Sequence, residues 1–216
     1  MEEKTIRMAH GAGGRMMADL IQDVFARPLD NVYLRQMADS ALVQPTVGDL
    51  RLAISTDSFV VRPLFFPGGD IGSLAVHGTV NDVAMGGARP LWLTAGFILE
   101  EGLEIETLRR VVQSMAQAAR KAGVQVVAGD TKVVERGAAD GLYINTAGVG
   151  VVMEGIAVGP DLARPGDVVL LSGYVGDHGI AVLSQREGLA FETALQSDSA
   201  ALNGPVSYTH LRAHET

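Results

Sequence analysis

The 216-residue chain contains no cysteine, and its 17 lysine and arginine residues are outnumbered by 25 aspartate and glutamate residues. Without cysteine, no disulfide framework can form. The net charge of −8 provides no basic surface of the kind that binds nucleic acid, so we expect no nucleic-acid partner. No apolar run approaches the ~20 residues that span a bilayer, and the N-terminus has no apolar signal core. We therefore expect a cytoplasmic protein that does not associate with membranes.

Apolar residues make up 47% of the chain and charged residues 19%, which is typical of a globular protein with a buried core. The 26 glycines show no short repeat, so they indicate tight turns and close approaches of the backbone to other groups. The acidic excess is compatible with a phosphate ligand, because carboxylates can hold Mg²⁺ and the ion can then bind the phosphate.

Apolar periodicity predicts an alternation of helices and strands, and hence an α/β or α+β fold with a mixed sheet. Asp70 is a candidate N-cap, and Gly123 a candidate terminator of the longest helix. The predicted helices are residues 12–25, 71–85, 103–122 and 176–186, and the predicted strands are residues 50–55, 90–99, 124–128, 142–153 and 168–172.

Composition shifts divide the chain into four segments. We predict an N-terminal Gly-rich segment and helix (1–40), a central domain (41–158), the start of a second domain (159–204) and a tail (205–216). The tail has no apolar period and resembles translated adapter sequence, so we interpret it as non-native; the alternative is an ordinary frayed terminus. Both interpretations exclude His210 and His214 from any site.

Several carboxylates lie where predicted strands end or predicted helices begin. Mg²⁺ takes oxygen ligands and commonly uses one or two carboxylates together with phosphates and water. Each such residue alone is more often a turn or cap residue, but their number beside Gly-rich turns favours a metal–phosphate site. The acids are Asp39, Asp57, Asp70, Asp82 and Asp130.

Other polar residues give weaker signals. No GxxxxGK[ST] loop occurs, and the Gly-rich run 11–14 before a helix could either offer N–H groups to an anion or be a flexible helix start. Lys132 could neutralise a phosphoryl group, although a solvated lysine is commoner. His77 has no second histidine nearby in sequence, so packing explains it better than metal binding. An Asp-capped turn explains Asp177 and His178.

Taken together, the motifs of residues 5–203 resemble the hydrogenase-maturation carbamoyl dehydratase family, the HypE family, within the aminoimidazole-ribonucleotide synthetase superfamily. The long runs 63–72 and 129–134 separate this family from its purine-synthesis, thiamine-phosphate kinase and selenophosphate relatives. The motifs are His10-Gly11-Ala12-Gly13-Gly14, Asp39-Ser40-Ala41, Ser55-Thr56-Asp57-Ser58, Phe65-Phe66-Pro67-Gly68-Gly69-Asp70, Asn81-Asp82-Val83-Ala84, Gly129-Asp130-Thr131-Lys132-Val133-Val134 and Gly176-Asp177-His178-Gly179.

The resemblance implies an ATP-binding domain that dimerises through its sheet, and a second α/β domain that closes over the nucleotide. It implies that ATP drives dehydration of a thiocarboxamide on the enzyme's own C-terminal cysteine, which gives the thiocyanate used for the cyanide ligands of nickel–iron hydrogenase. ATP is needed because an amide oxygen leaves poorly until it is phosphorylated. Phosphoryl transfer then depends on positioning and charge neutralisation.

The resemblance also implies roles for individual residues. Mg²⁺ and ATP positions fall on Asp39, Asp57, Asp82 and Asp130, and Asn81 falls among the nucleotide-binding residues. Lys132 and Asp82 fall on catalytic positions. Gly11, Gly13 and Gly14 fall on a flexible loop that covers the phosphates.

The implied partners are a second copy of the chain, in a homodimer, a carbamoyltransferase and the hydrogenase-assembly scaffold proteins. The family's terminal Pro-Arg-Ile-Cys motif and most of its second domain are absent from this sequence. We therefore expect weak binding of Mg²⁺–ATP without complete turnover. Two alternatives stay open: another ATP-dependent enzyme of the superfamily, such as selenophosphate or aminoimidazole-ribonucleotide synthetase, and a non-catalytic dimerising module.

Overall fold

The computed structural model describes residues 14–26, 28, 30–32, 35, 38, 40–45, 49–159, 162–188 and 195–204. The helices are α1 (Arg15–Leu20), which continues as a π-helical segment (Ile21–Ala26), α2 (Ile71–Met85), α3 (Ile105–Ala122) and α4 (Asp177–Glu187). The strands are β1 (Ala41–Val43), β2 (Leu52–Phe59), β3 (Phe65–Phe66), β4 (Gly69–Asp70), β5 (Ala88–Glu100), β6 (Gln125–Val134) and β7 (Leu142–Val152).

Five strands form one mixed sheet in the order β1-β2-β7-β5-β6. The pairs β1–β2, β2–β7 and β5–β7 are antiparallel, and β5–β6 is parallel, with α3 as the crossover between its two strands. A parallel pair needs such a long connection, which explains why the clearest helical pattern lies between β5 and β6. The predicted mixed-sheet α/β class is confirmed.

The two faces of the sheet differ in cover. On the helix-covered face, which carries Ala53, Ser55, Asp57 and Phe59 of β2, side chains pack against α2 and α3. On the open face, which carries the intervening β2 residues 54, 56 and 58, no described helix covers the strands. The fully buried core side chains include Ile71, Val76, Val80, Leu93, Val111, Leu142 and Ile144.

Two glycines of β7 allow α2 to lie close to the sheet. A Cβ on Gly148 would come within 2.8 Å of Thr79, and one on Gly150 within 2.6 Å of Val83. Any side chain at either position would push the helix outward. These are close approaches of the kind that the many glycines indicated. A bulge lies on β5, where the register shifts between Pro90 and Trp92.

The ends of the two long helices follow the sequence signals. The Asp70 carboxylate accepts hydrogen bonds from the N–H groups of Gly72 and Ser73, at 2.7 and 3.2 Å, which confirms it as the N-cap of α2. The Ser73 hydroxyl completes a capping box with the Asp70 backbone. Gly123 has the left-handed conformation, φ 72°, that ends α3.

Two predictions about strands are wrong. β6 continues through Gly129 to Val134, because residues 95–100 of β5 pair with it over that length. Residues 168–172 form no strand; they have no pairing partner among the residues described, and Val169 is 93% exposed. In the part of the chain that is described, no helix is long and apolar enough to cross a membrane.

Candidate functional site

Asp57 and Asp82 lie at the contact between β2 and α2. Ser55, which is 7% exposed, donates a hydrogen bond of 3.0 Å from Oγ to Oδ2 of Asp82. Ser55 and Asp57 point the same way because they are two residues apart on a strand. The sequence therefore places both carboxylates on the helix-covered face, at one edge of the buried core.

The Asp57 carboxylate reaches α2 one turn before Asp82. Its Oδ2 would lie 3.2 Å from a Cβ on Gly78, and its Oδ1 accepts a 2.8 Å hydrogen bond from the Ser58 N–H. Gly78 and Asp82 are four residues apart, which is about 6 Å along a helix. The two carboxylates are thus half-buried neighbours on one surface, and carboxylate oxygens are the ligands that a hard cation prefers.

Asp130 and Lys132 lie elsewhere. Asp130 lies on β6 and pairs with Gly96 of β5, so two strands, β7 and β5, separate it from β2. The strand alternation directs its side chain to the open face. The Lys132 ammonium lies 3.3 Å from the Asp130 carboxylate, and both side chains are exposed. The hydrogen bond from Lys132, followed by that from the Thr131 N–H, lowers the pKa of Asp130.

The structure therefore brings together Asp57 and Asp82 but not Asp130. The described residues contain no group of three or more histidine, aspartate or glutamate side chains that could hold one ion. Asp39, Gly11 and Gly13 lie outside the described residues. Gly14, the residue before α1, is exposed, and a Cβ built on it would meet nothing within 4 Å.

The Asn81 side chain contacts a segment far away in sequence. Residues 195–204, which we call the strap, run along α2, and the Asn81 amide pairs with its backbone. Asn81 Nδ2 donates to the Ala200 carbonyl at 2.9 Å, and Oδ1 accepts from the Leu202 N–H at 2.7 Å. Both polar ends of a residue predicted to contact nucleotide are engaged by protein.

His77, one turn before Asn81, also contacts the strap. Its Nδ1 lies 3.0 Å from the Ser199 hydroxyl, and desolvation by burial, with a smaller contribution from the Lys121 charge, lowers its pKa. A neutral, half-buried imidazole fits the packing role predicted for it. The turn before α4 is also fixed by the strap, because Asp198 accepts from the N–H groups of Gly176 and His178. The predicted cap from Asp177 is wrong.

Sequence reasoning missed Asn145 and the role of Ser55. Asn145 lies on β7 opposite Ser58, and its Nδ2 donates to the Asp57 carbonyl and the Ser58 hydroxyl, both at 3.0 Å. These bonds fix the β2 backbone beside Asp57. Ser55 could have been found from its position two residues before Asp57, whereas Asn145 required knowledge of the β2–β7 register.

Comparison with known proteins places these residues in context. Residues 37–152 match the family described as AIR synthase related protein, N-terminal domain. The chain is 59% identical over 203 residues to carbamoyl dehydratase HypE of Azotobacter vinelandii, covering 94% of this chain and 59% of that protein.

Solved structures of HypE have the same fold. HypE in complex with ATP superposes with a TM-score of 0.73 at 54% identity, over 96% of this chain and 61% of that one. HypE in a HypE–HypF complex gives a TM-score of 0.81 at 56% identity, over 87% of this chain and 60% of that one. The chain spans about three fifths of the length of these relatives.

Proposed function

Because the chain belongs to the AIR synthase related family and is similar in sequence to HypE, we propose that it is the nucleotide-binding part of an ATP-dependent carbamoyl dehydratase. In that reaction ATP drives dehydration of a cysteine-borne thiocarboxamide to a thiocyanate for the cyanide ligands of nickel–iron hydrogenase. The chain has no cysteine, so it cannot carry this substrate on its own side chains.

One observation supports the nucleotide site above all others: Asp57 and Asp82 are adjacent, half-buried carboxylates on one surface. Mg²⁺ bound with a nucleotide commonly takes one or two carboxylates, and its remaining ligands are phosphate oxygens and water. The pair therefore fits a Mg²⁺–ATP complex without Asp130. When bound, the ion would neutralise phosphate charge, while Ser55 would hold Asp82 in its orientation.

We also propose roles for the other predicted site residues. Asp39 is proposed as a further metal ligand, and Gly11, Gly13 and Gly14 as the loop that covers the phosphates. Lys132 is proposed to act in the conversion step; Asp130, which lies apart from Asp57 and Asp82, is paired with it. The Lys132 ammonium is exposed and paired with a carboxylate, so a substrate carrying a phosphoryl group could compete for it.

The nucleotide proposal is tested by calorimetric titration of the chain with ATP in the presence of Mg²⁺. Asp82→Asn and Asp57→Asn should each weaken binding at least about tenfold, because each removes a charged ligand. Glu106→Gln, which removes an exposed carboxylate of α3, is the matched control and should leave binding unchanged. Equal affinity in all four proteins would overturn the site.

We also propose that the chain forms a homodimer through the open face of its sheet. Trp92, Ile98 and Ile54 are 45%, 43% and 40% exposed on that face, and exposed apolar groups of this kind are typical of an interface. Trp92→Glu should convert a sedimenting dimer to a monomer. A dimer that forms but ignores Mg²⁺–ATP would instead support a non-catalytic dimerising module.

Further partners follow from the relatives. A structure of a HypE–HypF complex is known. We propose that the full-length protein to which this chain corresponds likewise binds a carbamoyltransferase partner and the hydrogenase-assembly scaffold proteins. A pull-down with the full-length parent, with the Trp92→Glu variant beside it, would show whether partner binding needs the dimer. If the full-length protein without the substitution bound neither HypF nor the hydrogenase-assembly scaffold proteins, this assignment would be contradicted.

A further inference from the structure

Hydrogen bonds hold the strap to the central domain at both of its ends and at its centre. The Ser197 N–H donates to the Pro67 carbonyl at 2.8 Å, and the Asn203 amide donates to the Ala122 carbonyl at 2.9 Å. Between these ends, Asn81 pairs with the backbone on both sides of Ala201. The strap thus crosses from the β3–β4 hairpin to the end of α3, and α2 lies beneath its centre.

The same strap organises the start of the second region. Asp198 accepts from two N–H groups at the start of α4, and the Ser197 hydroxyl lies 3.0 Å from Nδ1 of His178. The His178 ring packs edge-on against Phe66, with ring centroids 5.1 Å apart. Whatever fixes the strap on α2 therefore also fixes α4 relative to the central domain.

Asn81 has the geometry of a specific backbone clamp. A side-chain amide offers one donor and one acceptor, and here they meet a carbonyl and an N–H two residues apart, as a neighbouring strand would. The next residue of α2 is Asp82, whose carboxylate contacts Ser55 on the opposite side. One turn of α2 thus contacts both the strap and the acidic pair.

We propose that Asn81 is a positioning residue: it fastens the strap to α2 beside Asp82 and so sets the place of α4 relative to the central domain. Asn81 accordingly does not bind the nucleotide. That the clamp also serves ATP binding rests on the proposed function, whereas the contact of Asn81 with the strap does not depend on it. It is therefore tested first without nucleotide.

The first test measures amide hydrogen exchange of residues 195–204 in the whole chain, by mass spectrometry. Asn81→Ala removes two neutral hydrogen bonds, and the protection of the strap should fall about tenfold or more. Gln113→Ala, at an exposed position on α3, is the control and should leave strap protection as in the unchanged chain. Strap protection within about twofold of the unchanged chain in Asn81→Ala would overturn the proposal.

A second variant separates the clamp from a general loss of structure. Asn81→Asp has nearly the same shape, and its protonated carboxyl can donate to the Ala200 carbonyl and accept from the Leu202 N–H. Its ionised form cannot donate. Strap protection in Asn81→Asp should therefore approach that of the unchanged chain at low pH and fall as the pH rises through the pKa of the introduced carboxyl.

The strap protection of Asn81→Asp at each pH is compared with that of the unchanged chain and of Asn81→Ala at the same pH. Both retain the other titratable groups near the strap and the substituted position, among them His77, His178, Asp198, Lys121, Asp70 and the adjacent Asp82. Only Asn81→Asp should show the additional transition. A pH profile of Asn81→Asp that parallels Asn81→Ala throughout would overturn the clamp.

Addition of Mg²⁺–ATP completes the test. If Asn81 holds the strap, saturating nucleotide leaves strap protection equal or higher. If Asn81 instead turns to the nucleotide, the strap is released and its protection falls, which would overturn the proposal. A chain that gives no heat with ATP refutes the proposed nucleotide site, while the two preceding measurements still decide the clamp.

Discussion

Residues 51–158 and residues 162–204 have similar apolar content in sequence but differ in how they bury it. In the first region Val80 and Val111 are fully buried between sheet and helices. In the second, Val169 is 93% and Leu170 74% exposed, whereas α4 and the strap contact the first region. An apolar run becomes a strand only where another strand accepts its hydrogen bonds, and here β2, β5 and β7 supply those partners for each other.

The largest expected difference between the regions is in the free energy of unfolding. Leu93→Ala removes a side chain that is 1% exposed, and we expect a loss of about 3 kcal/mol from lost burial and an unfilled cavity. Leu170→Ala, the matched change at a 74% exposed position, should cost less than about 0.5 kcal/mol. Urea unfolding of both variants measures this. Equal losses would mean that residues 168–172 are packed in solution.

A smaller effect is expected from the buried hydroxyl pair between α2 and β7. Thr146 Oγ1 donates to the Ala75 carbonyl at 3.0 Å, so Thr79 Oγ1, 2.6 Å away, is the donor of the pair. Thr79→Val removes that donor from a fully buried site and should cost about 1 kcal/mol. The matched control is Thr94→Val on the open face, where the side chain is exposed. A similar loss in both would show that the pair adds nothing specific.

The exposed apolar residues of the second region, which include Val169 and Leu170, should affect the binding of other apolar molecules more than the stability of the fold. Replacing Val169 and Leu170 by lysine removes adjoining apolar surface, so binding of a hydrophobic dye should fall severalfold while the unfolding midpoint stays unchanged. The same double change at Val80 and Leu93, both buried, should instead prevent folding. Unchanged dye binding in the first variant would place the apolar surface elsewhere.

The fold of the first region was predictable because its local signals agree. Asp70 and Gly123 mark helix ends by their own chemistry, and the apolar period gives α2 its observed bounds. Val112 shows the limit of prediction from apolar periodicity. It lies next to Val111 on α3 and fits the apolar period, yet it is 43% exposed. Burial depends on how the helix is rotated against the sheet, which periodicity fixes only to within about one residue.

The candidate site was predictable only in part. Asp57 and Asp82 come together because the strand and helix carrying them are in contact, as their motifs suggested. The open-face position of Asp130 depends on where β6 pairs with β5, and a bulge in that pairing determines which residues face outward. The strap contact of Asn81 spans about 120 residues of sequence. No local pattern reports such a pairing.

The smallest expected effect on stability comes from carboxylates that fix a turn, and each region has one. Glu100 accepts from the N–H groups of Gly137 and Gly141, at 2.6 and 2.8 Å, in the first region; Asp198 does the same for the start of α4 in the second. The bonds from Gly137 and then Gly141 lower the pKa of Glu100 from its ordinary value of 4.5. A carboxylate with a lowered pKa adds stability that is present above 4.5 and is lost as the pH falls through its folded-state pKa.

Glu100→Gln should therefore lower the thermal midpoint slightly at neutral pH, and the gap to the unchanged chain should close at acidic pH. Asp198→Asn should leave the thermal midpoint unchanged and alter only the hydrogen exchange of α4, because the second region contributes little to global unfolding. Thermal scans between about pH 7 and pH 3 measure the gap. A gap that stays constant over that range would show that Glu100 acts through its shape and not through its charge, since N–H donors bond more strongly to the ionised carboxylate than to the neutral acid.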